Sequence, residues 1–256
     1  MIEIKNLCAG YGSVKECDDV IHDISFKARK GESLCILGPN GSGKSTLLKC
    51  IARIIDFRGA ILLEGRSALE IPRKEFAKKT SLLSQSAQVF FPYTVYETVS
   101  MGRYAYSRGF FKTLSAEDRE IIEDILNKLD IRDIKERMID ELSGGTLQRV
   151  FLARTLAQTP DFILLDEPAN HLDLKHQIEL LDFIRTWIKE NNKTLISVFH
   201  DLTMARRFSD SAVVLDNGRL AAAGKFEEIL NSDILDSVYG MDIRSFFRKS
   251  LELLIS

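Results

Sequence analysis

Nine consecutive residues constrain this chain more than any others: Gly38-Pro39-Asn40-Gly41-Ser42-Gly43-Lys44-Ser45-Thr46. They fit the pattern G-x-x-x-x-G-K-[ST]. Before them stands Leu34-Cys35-Ile36-Leu37, an apolar run of the kind that makes a strand buried on both faces. After them, Leu47 to Ile55 has helical spacing. A glycine-rich loop between a buried strand and a helix start is a phosphate cradle. Glycines let successive backbone N–H groups converge on an anion with no Cβ in the way. The helix N-terminus adds roughly half a positive charge. Lys44 stands where a full charge reaches the β- and γ-phosphate oxygens, and Ser45 where a hydroxyl ligates Mg²⁺. Residues 38–46 thus imply a site for a nucleoside triphosphate with its magnesium.

A second buried run, Phe162-Ile163-Leu164-Leu165, ends in Asp166-Glu167-Pro168. Parallel α/β sheets keep their ligand crevice at the C-terminal ends of the strands. Asp166 there can hold the magnesium, and Glu167 can polarise an attacking water as general base. Taken alone, the pair also reads as a solvated strand end; the phosphate loop favours the chemical reading.

The rest of the chain supplies a frame. Ile2 and Ile4, then Ile24, Phe26 and Ala28, alternate as in half-exposed antiparallel strands. Leu195 to Phe199 and Val213-Val214-Leu215 read as further buried strands, with helical patterns at Leu174 to Ile188 and Met204 to Phe208. Strands alternating with helices predict a mainly parallel sheet. Residues 86–160 hold helix signals instead. Ser115-Ala116-Glu117-Asp118 is a capped start, and Ile121, Ile122, Ile125, Leu126 and Leu129 follow at helical spacing. The expected fold is α/β: a P-loop core built on a mainly parallel sheet, with an N-terminal antiparallel β subdomain and an inserted all-helical subdomain. In residue numbers, 1–85 and 161–225 form the core, 86–160 the helical insertion and 226–256 a C-terminal helical tail, all within one domain of 256 residues.

Composition removes other classes. Hydrophobic residues make up 45% and charged residues 28%, which excludes a disordered chain. Thirty-five Lys and Arg against 37 Asp and Glu leave no basic excess to suggest nucleic acid. No apolar run approaches the ~18 residues of a membrane span. Met1-Ile2-Glu3-Ile4-Lys5 makes a poor signal peptide. The four cysteines form no CxxC pair and read as reduced, small apolar residues.

Leu142-Ser143-Gly144-Gly145 precedes a helical pattern from Gln148 to Ala157, and Ser143 lies 23 residues before Asp166. Here the chain resembles the ATP-binding cassette (ABC) ATPases over nearly its whole length. The resemblance implies roles for further residues. Tyr11 would stack on adenine, and Gln85 would touch Mg²⁺ and the transmembrane partner. His200 would meet the γ-phosphate, and Asn170-His171-Leu172-Asp173 would follow the carboxylates. Each has a plainer reading: a turn aromatic, a polar residue at a strand end, a capping histidine. Ser143, Gly144 and Gly145, with Asp173, would contact the ATP of a second copy, since the family pairs its cassettes head to tail. Two positions depart from the family pattern: Thr146 replaces the usual Gln, and Ala169 a common Thr.

Three stretches are similar to the branch that imports iron-siderophores, haem and vitamin B12. They are Thr94 to Tyr104, with its Met101-Gly102-Arg103-Tyr104, then Asn170 to Leu174, and Val238-Tyr239-Gly240-Met241-Asp242-Ile243. That branch implies an ATP-hydrolysing subunit on the cytoplasmic membrane face. Its partners would be a separate permease, a second copy of itself and, indirectly, a substrate-binding protein. An exporter or assembly ATPase is the alternative. A DNA-repair cassette would need coiled-coil insertions, and a ribosome-acting one a second phosphate loop. Residues 103–112 interleave bases with aromatics and read as a nucleic-acid surface, a plain loop or part of the permease-facing surface.

Overall fold

The computed structural model describes residues 1–11, 18–84, 92–107, 113–170 and 172–255. The chain forms two compact units, one of residues 1–28, 32–65 and 198–256, the other of residues 29–31 and 66–197.

In the first unit, β1 (Ile2–Tyr11) and β2 (Asp18–Ala28) pair antiparallel, with Ile2 opposite Ala28 and Ile4 opposite Phe26. That register puts the alternating apolar residues of the sequence on one buried face. β4 (Arg58–Leu63) pairs on the other side of β1, also antiparallel. The buried run becomes β3 (Ser33–Leu37), which pairs parallel with β9 (Ser211–Asp216), Ile36 opposite Val213. β9 in turn pairs antiparallel with β10 (Arg219–Lys225). The helices are α1 (Lys44–Ile51), α7 (Leu202–Phe208), α8 (Phe226–Leu230), α9 (Ile234–Tyr239) and α10 (Ile243–Ile255). Residues 226–256 thus hold α8, α9 and α10, and Phe246 of α10 stays 52% exposed.

α1 differs from expectation at its end. The helical spacing extends to Ile55, yet the helix stops at Ile51. Arg53 takes a left-handed conformation (φ 56°), and the Ile54 N–H reaches back to the Lys49 carbonyl at 2.9 Å. This is a Schellman termination, reached without its customary glycine.

The second unit holds the helical segment. β5 (Arg66–Ser67) leads to α2 (Arg73–Lys79) and β6 (Thr80–Leu83), which pairs parallel with β7 (Phe162–Asp166), Ser81 opposite Ile163. Between these strands lie α3 (Val95–Ser100), α4 (Ala116–Lys128) and α5 (Gly144–Ala157). After β7 come α6 (Leu174–Glu190) and β8 (Thr194–Val198). Thr94 and Ser115 start α3 and α4 with capping boxes, Ser115 where the sequence indicates it. Met101-Gly102-Arg103-Tyr104 is a packing device. A Cβ on Gly102 would fall 2.3 Å from the Arg154 carbonyl oxygen of α5. Arg103, buried, donates to Asp118 of α4 at 2.7 Å and to the Ala157 carbonyl at 2.9 Å.

Candidate functional site

The phosphate loop belongs to the first unit. Gly38, Gly41 and Gly43 all have positive φ, at 143°, 81° and 97°. At two of them a side chain has no room. A Cβ on Gly38 would lie 2.2 Å from the Leu215 carbonyl oxygen, and one on Gly43 2.5 Å from Ile21 Cγ2. The loop is closed by the Ser42 N–H, which donates to the Pro39 carbonyl at 3.2 Å. Gly43 is the N-cap of α1 and offers no side-chain cap, and no acidic residue stands in the first turn. No carboxylate of the helix's own first turn therefore offsets the positive end of its dipole. Lys44 is buried, with its ammonium on the Gly38 and Pro39 carbonyls at 2.8 Å each. Ser45 and Thr46 follow in the first turn.

Tyr11 ends β1 with its hydroxyl 3.3 Å from Thr46 Oγ1, and Lys49 Nζ donates to that hydroxyl at 3.4 Å. The residue is nonetheless 55% exposed, so its ring has open surface for stacking. His200 is exposed and follows β8. Next to it Asp201 caps α7, accepting the N–H groups of Thr203 at 2.7 Å and Met204 at 3.0 Å. Gln85, named from the sequence, and His171 lie outside the described residues.

The carboxylates belong to the second unit. β7 is buried throughout, and both acids at its end stay buried, Asp166 at 5% and Glu167 at 7% exposure. Glu167 adopts a left-handed backbone (φ 54°), uncommon for a side chain of this size. Asn170 Nδ2 donates to its carboxylate, and the Asn170 N–H donates to its carbonyl at 3.3 Å. Gln148 Nε2 of α5 donates to the Pro168 carbonyl at 2.8 Å. The sequence reading did not single out these two amides as supports. Their only signal was polar side chains near two motifs.

Ser143 is the N-cap of α5, and its hydroxyl accepts the Thr146 N–H at 3.3 Å. Thr146, the departure from the family pattern, places Oγ1 2.9 Å from that hydroxyl. Gly144 is exposed and has nothing within 4 Å of an added Cβ. Ser143, Gly145, Thr146 and Asp173 border one cleft of about 270 Å³, together with Arg149 and His176. Asp173 caps α6, accepting the His176 N–H at 3.0 Å, with Oδ2 2.7 Å from His176 Nδ1. The His176 backbone N–H, and then its ring, hold the Asp173 carboxyl below the usual range. Three of the four residues expected to face a second copy's nucleotide thus share one cleft, while Arg149 and His176 were not anticipated.

Residues 21–170 match the ABC transporter family. The petrobactin import ATP-binding protein YclP of Bacillus subtilis (strain 168) is 38% identical over 244 residues, covering 95% of this chain and 94% of that protein. The iron(3+)-hydroxamate import ATP-binding protein FhuC of the same organism is 37% identical, covering 94% and 88%. A dimeric post-hydrolysis structure of the cassette MJ0796, bound to ADP and Pi, superposes with a TM-score of 0.77 at 27% identity, covering 88% of this chain and 99% of that one.

Proposed function

The chain belongs to the ABC transporter family, as one of its ATPases, and from there we propose that it powers import of an iron chelate, of the siderophore type, through separate membrane subunits. The likeness to siderophore-import subunits over almost the entire chain supports the cargo class. The observation that carries the mechanism is the cleft at Ser143, Gly145 and Asp173. It opens at a helix N-terminus, an anion-binding end far along the chain from the phosphate loop. Two copies arranged head to tail would each offer that cleft to the ATP held by the other.

In this reading backbone N–H groups within residues 40–46 and the Lys44 ammonium hold the triphosphate, and Tyr11 stacks on the base. Ser45 and Asp166, with Gln85, are the residues to hold magnesium; hydroxyl and carboxylate oxygens are the hard donors that Mg²⁺ prefers. Magnesium supplies charge neutralisation on the phosphate oxygens. Glu167, fixed by Asn170, takes the proton of the attacking water. His200, exposed at the strand end, donates toward the γ-phosphate. A ligand that binds only the closed pair stabilises that pair, and loss of phosphate releases it. We assign residues 1–85 and 161–225 to the nucleotide-binding core, 86–160 to the signature subdomain and 226–256 to the tail. The complex works at the membrane with a permease and a substrate-binding protein, although no helix among the described residues is long and apolar enough to cross a membrane.

Two variants test the reading. Lys44→Ala loses MgATP binding in calorimetry. Glu167→Gln keeps it, stops turnover and accumulates a nucleotide-bound dimer on size exclusion. Cells carrying only Glu167→Gln fail to take up a radiolabelled ferric siderophore that the wild type imports. Normal hydrolysis by Glu167→Gln would falsify its role as base, and normal uptake in cells lacking the chain overturns the cargo assignment.

A further inference from the structure

The run Val238 to Ile243 leads back to the phosphate loop, within the same unit. α9 ends at Tyr239, and Gly240 (φ 66°) turns the chain toward α10. Asp236 clamps this turn. Its Oδ1 accepts the Ile243 N–H at 2.8 Å, and its carbonyl accepts the Met241 N–H at 3.2 Å. Arg244 adds a bond to Asp233 at 2.6 Å and lies 3.8 Å from Asp236. With its backbone fixed in this way, the Tyr239 hydroxyl accepts the N–H of Gly38 at 3.1 Å, across 201 residues of sequence. Burial pushes the phenol pKa up, so the group stays neutral and serves as acceptor throughout the working pH range.

Gly38 has no side chain by which to be held, and its backbone already approaches Leu215 as closely as a glycine allows. Its place is set by what touches its peptide groups. On one side that is the Tyr239 hydroxyl; on the other, its carbonyl accepts the Lys44 ammonium at 2.8 Å. A shift of Gly38 therefore moves one of the two carbonyls that hold the lysine. We infer that Tyr239 is a positioning residue of the nucleotide site: its hydroxyl fixes Gly38, and through the Gly38 carbonyl it places the Lys44 ammonium, so that the C-terminal helices hold the phosphate loop in its binding shape. This deepens the nucleotide reading above and rests on it.

Tyr239→Phe keeps the ring and removes only the acceptor. Loss of one such hydrogen bond should raise the Kd for MgATP, and the KM of hydrolysis, roughly three- to ten-fold. The kcat should change by less than about two-fold, because the hydroxyl acts on binding rather than on the bond that breaks. In a ¹⁵N-labelled chain without nucleotide, the Gly38 amide resonance should shift and its hydrogen exchange quicken. Arg244→Ala, which loosens the turn away from the loop, should raise KM in the same direction by less. An unchanged KM and an unmoved Gly38 amide in Tyr239→Phe overturn the inference while wild-type binding leaves the nucleotide reading standing. A wild-type chain that binds no MgATP overturns both.

Discussion

Arg103 and Asp118 form a buried ion pair, with side chains 4% and 7% exposed. Burial pushes the Asp118 pKa up, but bonds from Arg103 and from the Ser115 hydroxyl and N–H outweigh it and leave the carboxyl below its ordinary value. A depressed folded pKa means the pair stabilises fully above the unfolded carboxylate value of about 3.9 and loses its contribution as pH falls through the folded value. Asp118→Asn leaves a buried guanidinium without its counter-charge and should cost about 3–5 kcal/mol at pH 7. Urea unfolding at pH 7 and at pH 3 checks this, and the gap between variant and wild type should narrow in acid. At this scale the sequence revealed the residues whose chemistry is unusual in itself, such as Lys44 in its glycine loop and the Asp166-Glu167 pair. It named Asn170 and Gln148 but not as supports of the site, because an amide supports a neighbour only through geometry, and the Gln148 to Pro168 bond spans 20 residues.

Elements were legible where their signals are local. The Ser115 capping box starts α4 as read, and the alternation of β1 and β2 gives the observed pairing. Helix ends were less legible. Arg53, Asp130 and Asn192 all take left-handed conformations just past α1, α4 and α6, with N–H groups at Ile54, Ile131 and Lys193 reaching back five residues. A glycine there would have marked each stop, and none is present. The run at Met101-Gly102-Arg103 also has an element-scale explanation, since Gly102 lies directly on the α5 backbone. Gly102→Ala should destabilise the chain by about 1–3 kcal/mol through overpacking, read from the urea midpoint. An unchanged midpoint would show that the short turn before Tyr104 can move away from α5 without cost.

Across the whole molecule the fold class followed from the order of strand and helix patterns, and the described structure carries it in two parallel strand pairs, β3 with β9 and β6 with β7. The division into compact units did not follow. The first unit is assembled from three separate stretches of chain, a property of long-range pairing that no local pattern encodes. Cys35 and Cys50 are free and buried. Burial pushes the thiol pKa of Cys35 and Cys50 up to about 12. At pH 8 both should resist iodoacetamide in the folded chain and react only in denaturant, as followed by peptide mass spectrometry.

The bond between Gly38 and Tyr239 has a temporal meaning as well as a spatial one. At roughly 5–20 residues per second, a ribosome takes roughly 10–40 s to travel the 201 residues between them. The β9 partner of β3 also emerges late. A nascent chain therefore displays its glycine-rich segment long before that segment can be finished. Competence to capture fuel waits on the emergence of Tyr239, and a chain cut short before that residue would hold its loop less firmly.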